Sequence, residues 1–218
     1  MAQPPRFLLA EVSALLAVVA LSDLFAVCAG VRLYTLIDEG GGFAFAPRQE
    51  VDDADALYRT AGQIQGATFL ACAIGFIVWF FWMRRCAGVL GPDRFRNGPG
   101  WAVGCWFVPV ANPWMPYRVA IGMWGASARL PGDGQPYKVP LWPVNLWWGL
   151  FVTTTLFQRF AGQRYENADA LSEIRDAVLQ VTVADILDVA AAAAAVYFAV
   201  RLTAMQRLKA AEGPYVSG

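Results

Sequence analysis

Six ionisable side chains lie inside the first and last long apolar stretches of this sequence: Glu11, Asp23, Arg32, Asp185, Asp188 and Arg201. An ionisable group near the middle of a membrane-spanning helix costs about 2.5 kcal/mol or more, so it marks a candidate functional site. If the first and last apolar stretches form antiparallel helices rising ~1.5 Å per residue, Arg32 lies at the depth of Asp185. We therefore expect an ion pair between these two residues. Asp23 and Asp188 lie deeper and have no base at their depth.

The sequence leaves three interpretations of Asp23 and Asp188 open. In the first, the two carboxyl groups lie side by side away from water and share a proton. In the second, they line a cation path or hold a divalent ion together with Asp185, which precedes Asp188 by three residues on the same helical face. In the third, they accept hydrogen bonds from backbone and threonine groups. Each interpretation requires helices that bring the two ends of the chain together.

The composition of the chain predicts one small membrane domain and excludes several kinds of chemistry. Hydrophobic residues make up 57% of the 218 residues, with mean hydropathy +0.42, well above a soluble average. The absence of histidine excludes a histidine-ligated haem, a Ser-His-Asp triad and a zinc-protease motif. Balanced charges, 17 basic and 17 acidic, give no field to attract nucleic acid.

The four cysteines contain no C-x-x-C pair, which favours buried thiols over a disulfide or zinc site. We expect no cofactor, no metal and no catalytic residue.

Four stretches are apolar and long enough to cross a bilayer, which requires about 20 residues. They cover residues 7–37, 64–83, 141–158 and 181–205. The first has Glu11 inside its apolar core, which favours a retained helix over a cleaved signal peptide. Glu11 also lies at the depth of Arg201 on the last span, and we expect these two to form an ion pair. The predicted fold class is all-α, a polytopic membrane protein in which residues 1–218 form a single domain.

Residues 101–130 are apolar too, but prolines interrupt them at 109, 113 and 116. Each proline removes a backbone hydrogen-bond donor and disfavours helix in the residue before it. The stretch 101–111 is about half a crossing, so the segment is predicted to be re-entrant or to lie along the membrane interface. Asn112 is expected to cap this break, and Asn145 to bond across helices.

Charge asymmetry predicts which side of the membrane each connection occupies. Residues 84–139 carry seven basic groups and two acidic ones, whereas residues 38–63 carry six acidic groups and two basic ones. Because cytoplasmic loops are enriched in Lys and Arg, the 84–139 segment and both termini are predicted to be cytoplasmic, in the plasma membrane.

The second half of the 101–130 segment is predicted to form a short helix with an arginine stripe and an apolar, mostly aromatic stripe. Arg118 and Arg129 lie on one side, and Tyr117, Ile121 and Trp124 form a neighbouring stripe. Such a helix suits the headgroup region, although packing against the domain's own spans is the alternative. Seven tryptophans near the predicted interfaces are expected to act mostly as membrane anchors. They are Trp101, Trp106, Trp114, Trp124, Trp142, Trp147 and Trp148.

The stretch "WFVPVANPWMPYRVAIGMWGAS", followed by the pair Trp147-Trp148, resembles a family of bacterial four-helix membrane proteins known only as a domain of unknown function. The pattern falls on Phe107, Pro109, Asn112, Pro116, Tyr117, Trp124 and Ser127. The likeness extends from about residue 31 to residue 201. It implies a membrane location and a similar number of helices, and it carries no activity.

The favoured function is a non-enzymatic membrane protein that binds a partner protein or anionic lipid through its basic cytoplasmic face. The residues assigned to that role are Arg84, Arg85, Arg94, Arg96, Arg118 and Arg129. Its partners are membrane lipids, and either another protein or a second copy of the chain. The alternative is a small oligomeric transporter or channel that uses Asp23 and Asp188. A lipid-modifying enzyme with an aspartate-bound metal ranks last.

Overall fold

The computed structural model describes residues 6–39, 48–108, 113–128 and 139–212, and the regular structure in these ranges is entirely helical. A short 3-10 helix, Pro92–Arg94, follows the second long helix. The α-helices are α1 (Arg6–Glu39), α2 (Arg48–Leu90), α3 (Trp101–Gly104), α4 (Met115–Ser127), α5 (Trp142–Glu166) and α6 (Leu171–Glu212). The all-α prediction is confirmed.

In the part of the chain that the structure describes, three helices, not four, are long and apolar enough to cross a membrane. They cover Phe7–Ile37, Gln49–Leu90 and Ser172–Ala211. The prediction of a fourth apolar span fails at α5. Its 25 residues give a length of ~37 Å, which is sufficient, but Asn145, Gln158 and the threonines at 153–155 lower its hydropathy. Composition, not length, separates α5 from the other three.

Two of the helices extend far beyond the spans predicted from hydropathy. α2 has 43 residues and α6 has 42, whereas a crossing needs about 20. The acidic stretch "VDDADAL" (residues 51–57) is helical and follows the first turn of α2, which contains Glu50. An acidic residue in the first turn is favourable because it faces the positive end of the helix dipole.

The long helices contribute segments to two compact units. One unit comprises Leu15–Cys72 and Gly149–Ala193, and we call it the polar unit because it holds the buried carboxylates. The other comprises Met1–Ala14, Ala73–Trp148 and Ala194–Gly218, and we call it the aromatic unit.

Small residues allow the helices of the polar unit to approach closely. Ala26 and Ala29 of α1 pack with Ala61 of α2 in one buried cluster. Gly30 of α1 faces Thr182 of α6, and a Cβ at position 30 would collide with the threonine hydroxyl. Close contact through small side chains is the usual means of helix association in lipid, where the hydrophobic effect between helices is absent.

Replacing Gly30 with alanine is expected to destabilise the protein by about 1–3 kcal/mol, the usual cost of overpacking. The Thr182 hydroxyl bonds to the Val178 carbonyl oxygen at 2.8 Å, so moving it aside breaks that bond. Gly62→Ala is the matched control, because nothing lies within 4 Å of a Cβ there. It should stabilise α2 by about 0.5–1 kcal/mol. Unfolding in dodecyl sulfate mixed micelles measures both changes in stability. Equal changes in the two variants would contradict the close approach of Gly30 to Thr182.

The aromatic unit has a core of stacked and edge-to-face rings. It contains Phe76, Trp79 and Phe80 of α2, Trp124 of α4, Trp147 and Trp148 of α5, and Phe198 of α6. The tryptophan prediction is therefore wrong for Trp124, Trp147 and Trp148, which are buried. Trp101, Trp114 and Trp142 are exposed, as membrane anchors would be.

Helix α4 packs on the aromatic unit instead of lying with its aromatic stripe free. Ala120, Met123 and Trp124 are buried, and the Trp124 ring stacks on Phe198 at a centroid distance of 6.1 Å. Of the two arrangements that the sequence allowed for this helix, packing against the domain's own spans is the one observed. Proline begins the helix, since Pro116 lies in its first turn, where a missing N–H costs nothing.

Candidate functional site

A chain of hydrogen bonds in the polar unit connects three aspartates through two glutamines. The Gln65 amide nitrogen donates to Oδ1 of Asp23 and to Oδ1 of Asp185, both at 3.0 Å. The Gln158 amide nitrogen donates to the same Asp185 oxygen and to Oδ2 of Asp188, both at 2.9 Å. Asp185 is therefore the centre of the network, with Asp23 and Asp188 at its two ends.

Helix periodicity places these side chains on facing surfaces. Asp185 and Asp188 are three residues apart on α6 and share a face. On α2, Gln65 is followed three residues later by Thr68, whose hydroxyl lies 2.9 Å from that of Ser22 on α1. α1 and α2 thus contact each other through two adjacent polar pairs. Asp23 lies near the middle of the apolar stretch Phe7–Ile37.

Two buried oxygens of the network have no hydrogen-bond partner among the described residues. They are Oδ2 of Asp23 and Oδ2 of Asp185, and both atoms are buried. The side chains themselves are deeply buried, with 4% of Asp23 and 1% of Asp185 exposed. Asp188 is only half-buried. Each glutamine NH₂ group has two hydrogens and already donates both, so neither amide can serve a further acceptor.

The ion pair predicted between Arg32 and Asp185 is wrong. Arg32 is exposed, and Asp185 accepts from the two glutamines instead. The pair predicted between Glu11 and Arg201 is also absent from the described residues, and both side chains are exposed. Depth matching gave the level of each residue along its helix, but not the direction in which it faces.

One feature of the sequence points to the two glutamines, although the predicted site includes neither of them. Gln65 and Gln158 each lie at the end of a predicted span, where a polar residue needs no explanation. The extension of α2 beyond its predicted start brings Gln65 well inside the helix. Within the described residues, no group of three or more His, Cys, Asp or Glu side chains is arranged to hold a metal ion. The network joins carboxylates through amides and does not form a cluster of carboxylates.

The predicted basic face separates into one buried arginine and several exposed ones. Arg84 is 6% exposed, donates to the Asn97 carbonyl oxygen at 2.7 Å and lies 3.4 Å above the Phe95 ring. It holds the connection after α2 in place and is not free to bind a partner. The exposed members are Arg85, Arg94, Arg96 and Arg118. Arg129 lies outside the described residues.

The motif residues are divided between core and surface. Tyr117 donates to Oδ1 of Asn145 at 2.7 Å, which confirms the expected bond of Asn145 across helices. Its ring also stacks on Trp148. Phe107 is exposed, while Pro116 and Trp124 are buried. Pro109 and Asn112 lie outside the described residues.

All four cysteines are free, as predicted, and three of them are buried. Cys28 is exposed, so the prediction of a buried thiol is wrong at that position. Burial raises the pKa of the Cys105 thiol to about 11. Because the thiolate is the nucleophile, this cysteine should react slowly at neutral pH.

These features define a class of protein: an all-helical chain in which three of the described helices are long and apolar enough to cross a membrane, with a carboxylate–amide network inside one unit. A model of a domain of unknown function, DUF4328, matches residues 45–204, and the chain belongs to that family. The match includes both glutamines, Asp185 and Asp188, but not Asp23. A search of curated proteins and a search of solved structures each found no match. The resemblance to a family of unknown function is confirmed to that extent.

Proposed function

We propose that the chain is an integral protein of a bacterial plasma membrane that crosses the bilayer four times, with α5 as the fourth crossing. The polar residues of α5 support this arrangement, because they bond to other helices. Asn145 accepts from Tyr117, and Gln158 donates to Asp185 and Asp188. A helix whose polar groups are satisfied by protein needs less overall hydropathy to enter a bilayer. The 84–139 segment and both termini are then cytoplasmic.

Cysteine labelling on intact cells tests this topology. In a Cys28→Ser background, Gly98→Cys should react with a membrane-impermeant maleimide only after lysis, because residue 98 lies in the basic 84–139 segment. Ala170→Cys, between α5 and α6, should react on intact cells. Residues 98 and 170 are both exposed, and a Cβ at position 98 meets nothing within 4 Å. Labelling of position 98 from outside would overturn the topology.

The function that the geometry supports best is binding of anionic lipid headgroups by the exposed basic surface of the aromatic unit. We define this surface as Arg85, Arg94, Arg96 and Arg118. The observation that carries the proposal is its charge: in the described residues 84–128, Asp93 is the only acidic residue beside these exposed arginines. Each basic residue near an anionic leaflet contributes about 1 kcal/mol.

Exposed aromatic residues support a lipid over a protein partner. Trp101, Phe107 and Trp114 are exposed in the same part of the chain as the arginines. Tryptophan is enriched at the headgroup level of membranes, where one edge of its ring is apolar and the other is hydrated. Within the protein, the Arg85 guanidinium makes a cation–π contact with Trp82, 4.9 Å from the ring centroid.

Charge reversal tests lipid binding. The variant Arg96→Glu/Arg118→Glu should bind phosphatidylglycerol at least tenfold more weakly, since two favourable charges become repulsive. Quenching of tryptophan fluorescence by brominated phosphatidylglycerol, compared with brominated phosphatidylcholine, measures the preference in reconstituted vesicles. The control Arg159→Glu/Arg164→Glu makes the same change of charge at two exposed positions of α5. An unchanged preference in the folded Arg96/Arg118 variant, or an equal loss in the control, would contradict the proposal.

A second candidate function is transport by an oligomer, with the path passing Asp23 and Asp188. The observation that favours it is the hydrogen-bonded network, which links segments of α1, α2, α5 and α6 within the polar unit. Asp23→Asn should abolish cation flux into reconstituted vesicles while the protein still inserts. Absence of flux in the unmodified protein would remove this candidate.

A further inference from the structure

The hydrogen bonds of the network place Asp23 and Asp185 on either side of a single nitrogen atom. Both Oδ1 atoms lie 3.0 Å from the Gln65 amide nitrogen, so they are at most about 6 Å apart. Ionised carboxylates this close repel each other strongly in a medium of low dielectric constant. The neutral amide between them offers two hydrogens and no compensating charge.

The groups that face this pair supply no positive charge. α6 contributes the carboxylate of Asp188, α2 the hydroxyl of Tyr58, and α5 the neutral Gln158. Within the described residues, no arginine or lysine forms an ion pair with Asp23 or Asp185. A buried charge without a partner is among the most costly features a fold can contain.

The unpartnered oxygens indicate how this cost is met. Oδ2 of Asp23 and Oδ2 of Asp185 are buried and accept no hydrogen bond from any described residue, although more than nine-tenths of each residue is inaccessible. Buried polar atoms are nearly always satisfied, so an unsatisfied pair on adjacent carboxylates requires an explanation. A positive ion would satisfy both oxygens and reduce the repulsion.

We propose that Asp23 and Asp185 together bind a cation, either a proton or a small hard metal ion such as Na⁺, and that Gln65 holds the two carboxylates in position for it. The ligand atoms are carboxylate oxygens, the type that hard cations prefer. The sequence paired Asp23 with Asp188, but the structure makes Asp185 the partner. The site depends neither on lipid binding by the basic surface nor on transport, because a cation that remains bound satisfies the same oxygens.

Two measurements on the full-length protein in mild detergent distinguish a proton from a metal ion. A bound proton gives an infrared C=O stretching band of a protonated carboxyl group at pH 8 without Na⁺, where exposed carboxylates are ionised. A bound metal ion raises the melting temperature as NaCl replaces choline chloride at constant ionic strength, because a ligand of the folded state stabilises it. Either result supports the site and identifies its occupant.

Matched variants locate the effect. Asp185→Asn should remove the infrared band or the Na⁺ response. Asp176→Asn, at an exposed position on the same helix, should retain whichever signal the unmodified protein gives. Asp23→Asn is a second variant in case Asp185→Asn fails to fold. The proposal is overturned if the unmodified protein shows neither signal, or if the signal persists in both Asp23→Asn and Asp185→Asn.

Discussion

Replacing Trp147 with alanine is expected to lower the free energy of unfolding by about 3–5 kcal/mol, the usual cost of removing a large buried aromatic side chain. Trp147 is 3% exposed, and its ring stacks on Phe198 at a centroid distance of 4.5 Å and an interplanar angle of 5°. It also contacts Phe76 at 5.6 Å. One side chain of α5 therefore packs against both α2 and α6. Because packing is what stabilises helix association in lipid, a bilayer around these helices would not compensate for the cavity.

Reversible unfolding in mixed micelles of dodecyl sulfate measures this loss, followed by helical circular dichroism. Trp142→Ala is the matched control, since it lies on the same helix, is 52% exposed and stacks on Tyr197. It should cost about 0.5–1.5 kcal/mol, the value of one aromatic pair. Equal losses in the two variants would show that the Trp147 cluster does not stabilise the aromatic unit.

Replacing Gln65 with leucine is expected to destabilise the protein by about 3 kcal/mol or more. The substitution removes two hydrogen bonds to carboxylates, each worth about 1.5–3 kcal/mol. It also leaves Oδ1 of Asp23, inside the polar unit, without the hydrogen bond that the Gln65 amide donates. Gln63→Leu is the control, because residue 63 is exposed and lies two positions away on the same helix. Its effect should stay within about 0.5 kcal/mol.

A double-mutant cycle distinguishes the lost hydrogen bonds from a change in packing. If the loss comes from unpaired carboxylates, Asp23→Asn should recover part of the stability in the Gln65→Leu background, because it removes one of the charges. The coupling energy should exceed about 0.5 kcal/mol, the limit expected for independent sites. If the two changes in free energy of unfolding are additive, Gln65 does not donate a hydrogen bond to Asp23 as the structure shows.

Much of the local structure follows from composition along the chain. Long apolar stretches predict helices because a buried backbone must satisfy its own hydrogen bonds. Prolines at 113 and 116 explain why α4 begins as a separate short helix. The depth of Asp23 also follows from its place in the sequence. The prediction of an apolar span was wrong at α5, where polar residues that bond to other helices lower the mean hydropathy.

The face that each residue presents was decided by tertiary structure alone. Rotation by ~100° per residue means that a small change in how a helix packs moves a side chain from lipid to core. Arg84 and Trp147 are buried for this reason, although the sequence assigned both to the membrane surface. Likewise, Asp185 bonds to Gln65 and Gln158 instead of Arg32. The sequence by itself determined where the apolar helices lie and the position of Asp23 near the middle of the first one. The neighbouring helices determined the partners, because a partner depends on facing direction as well as depth.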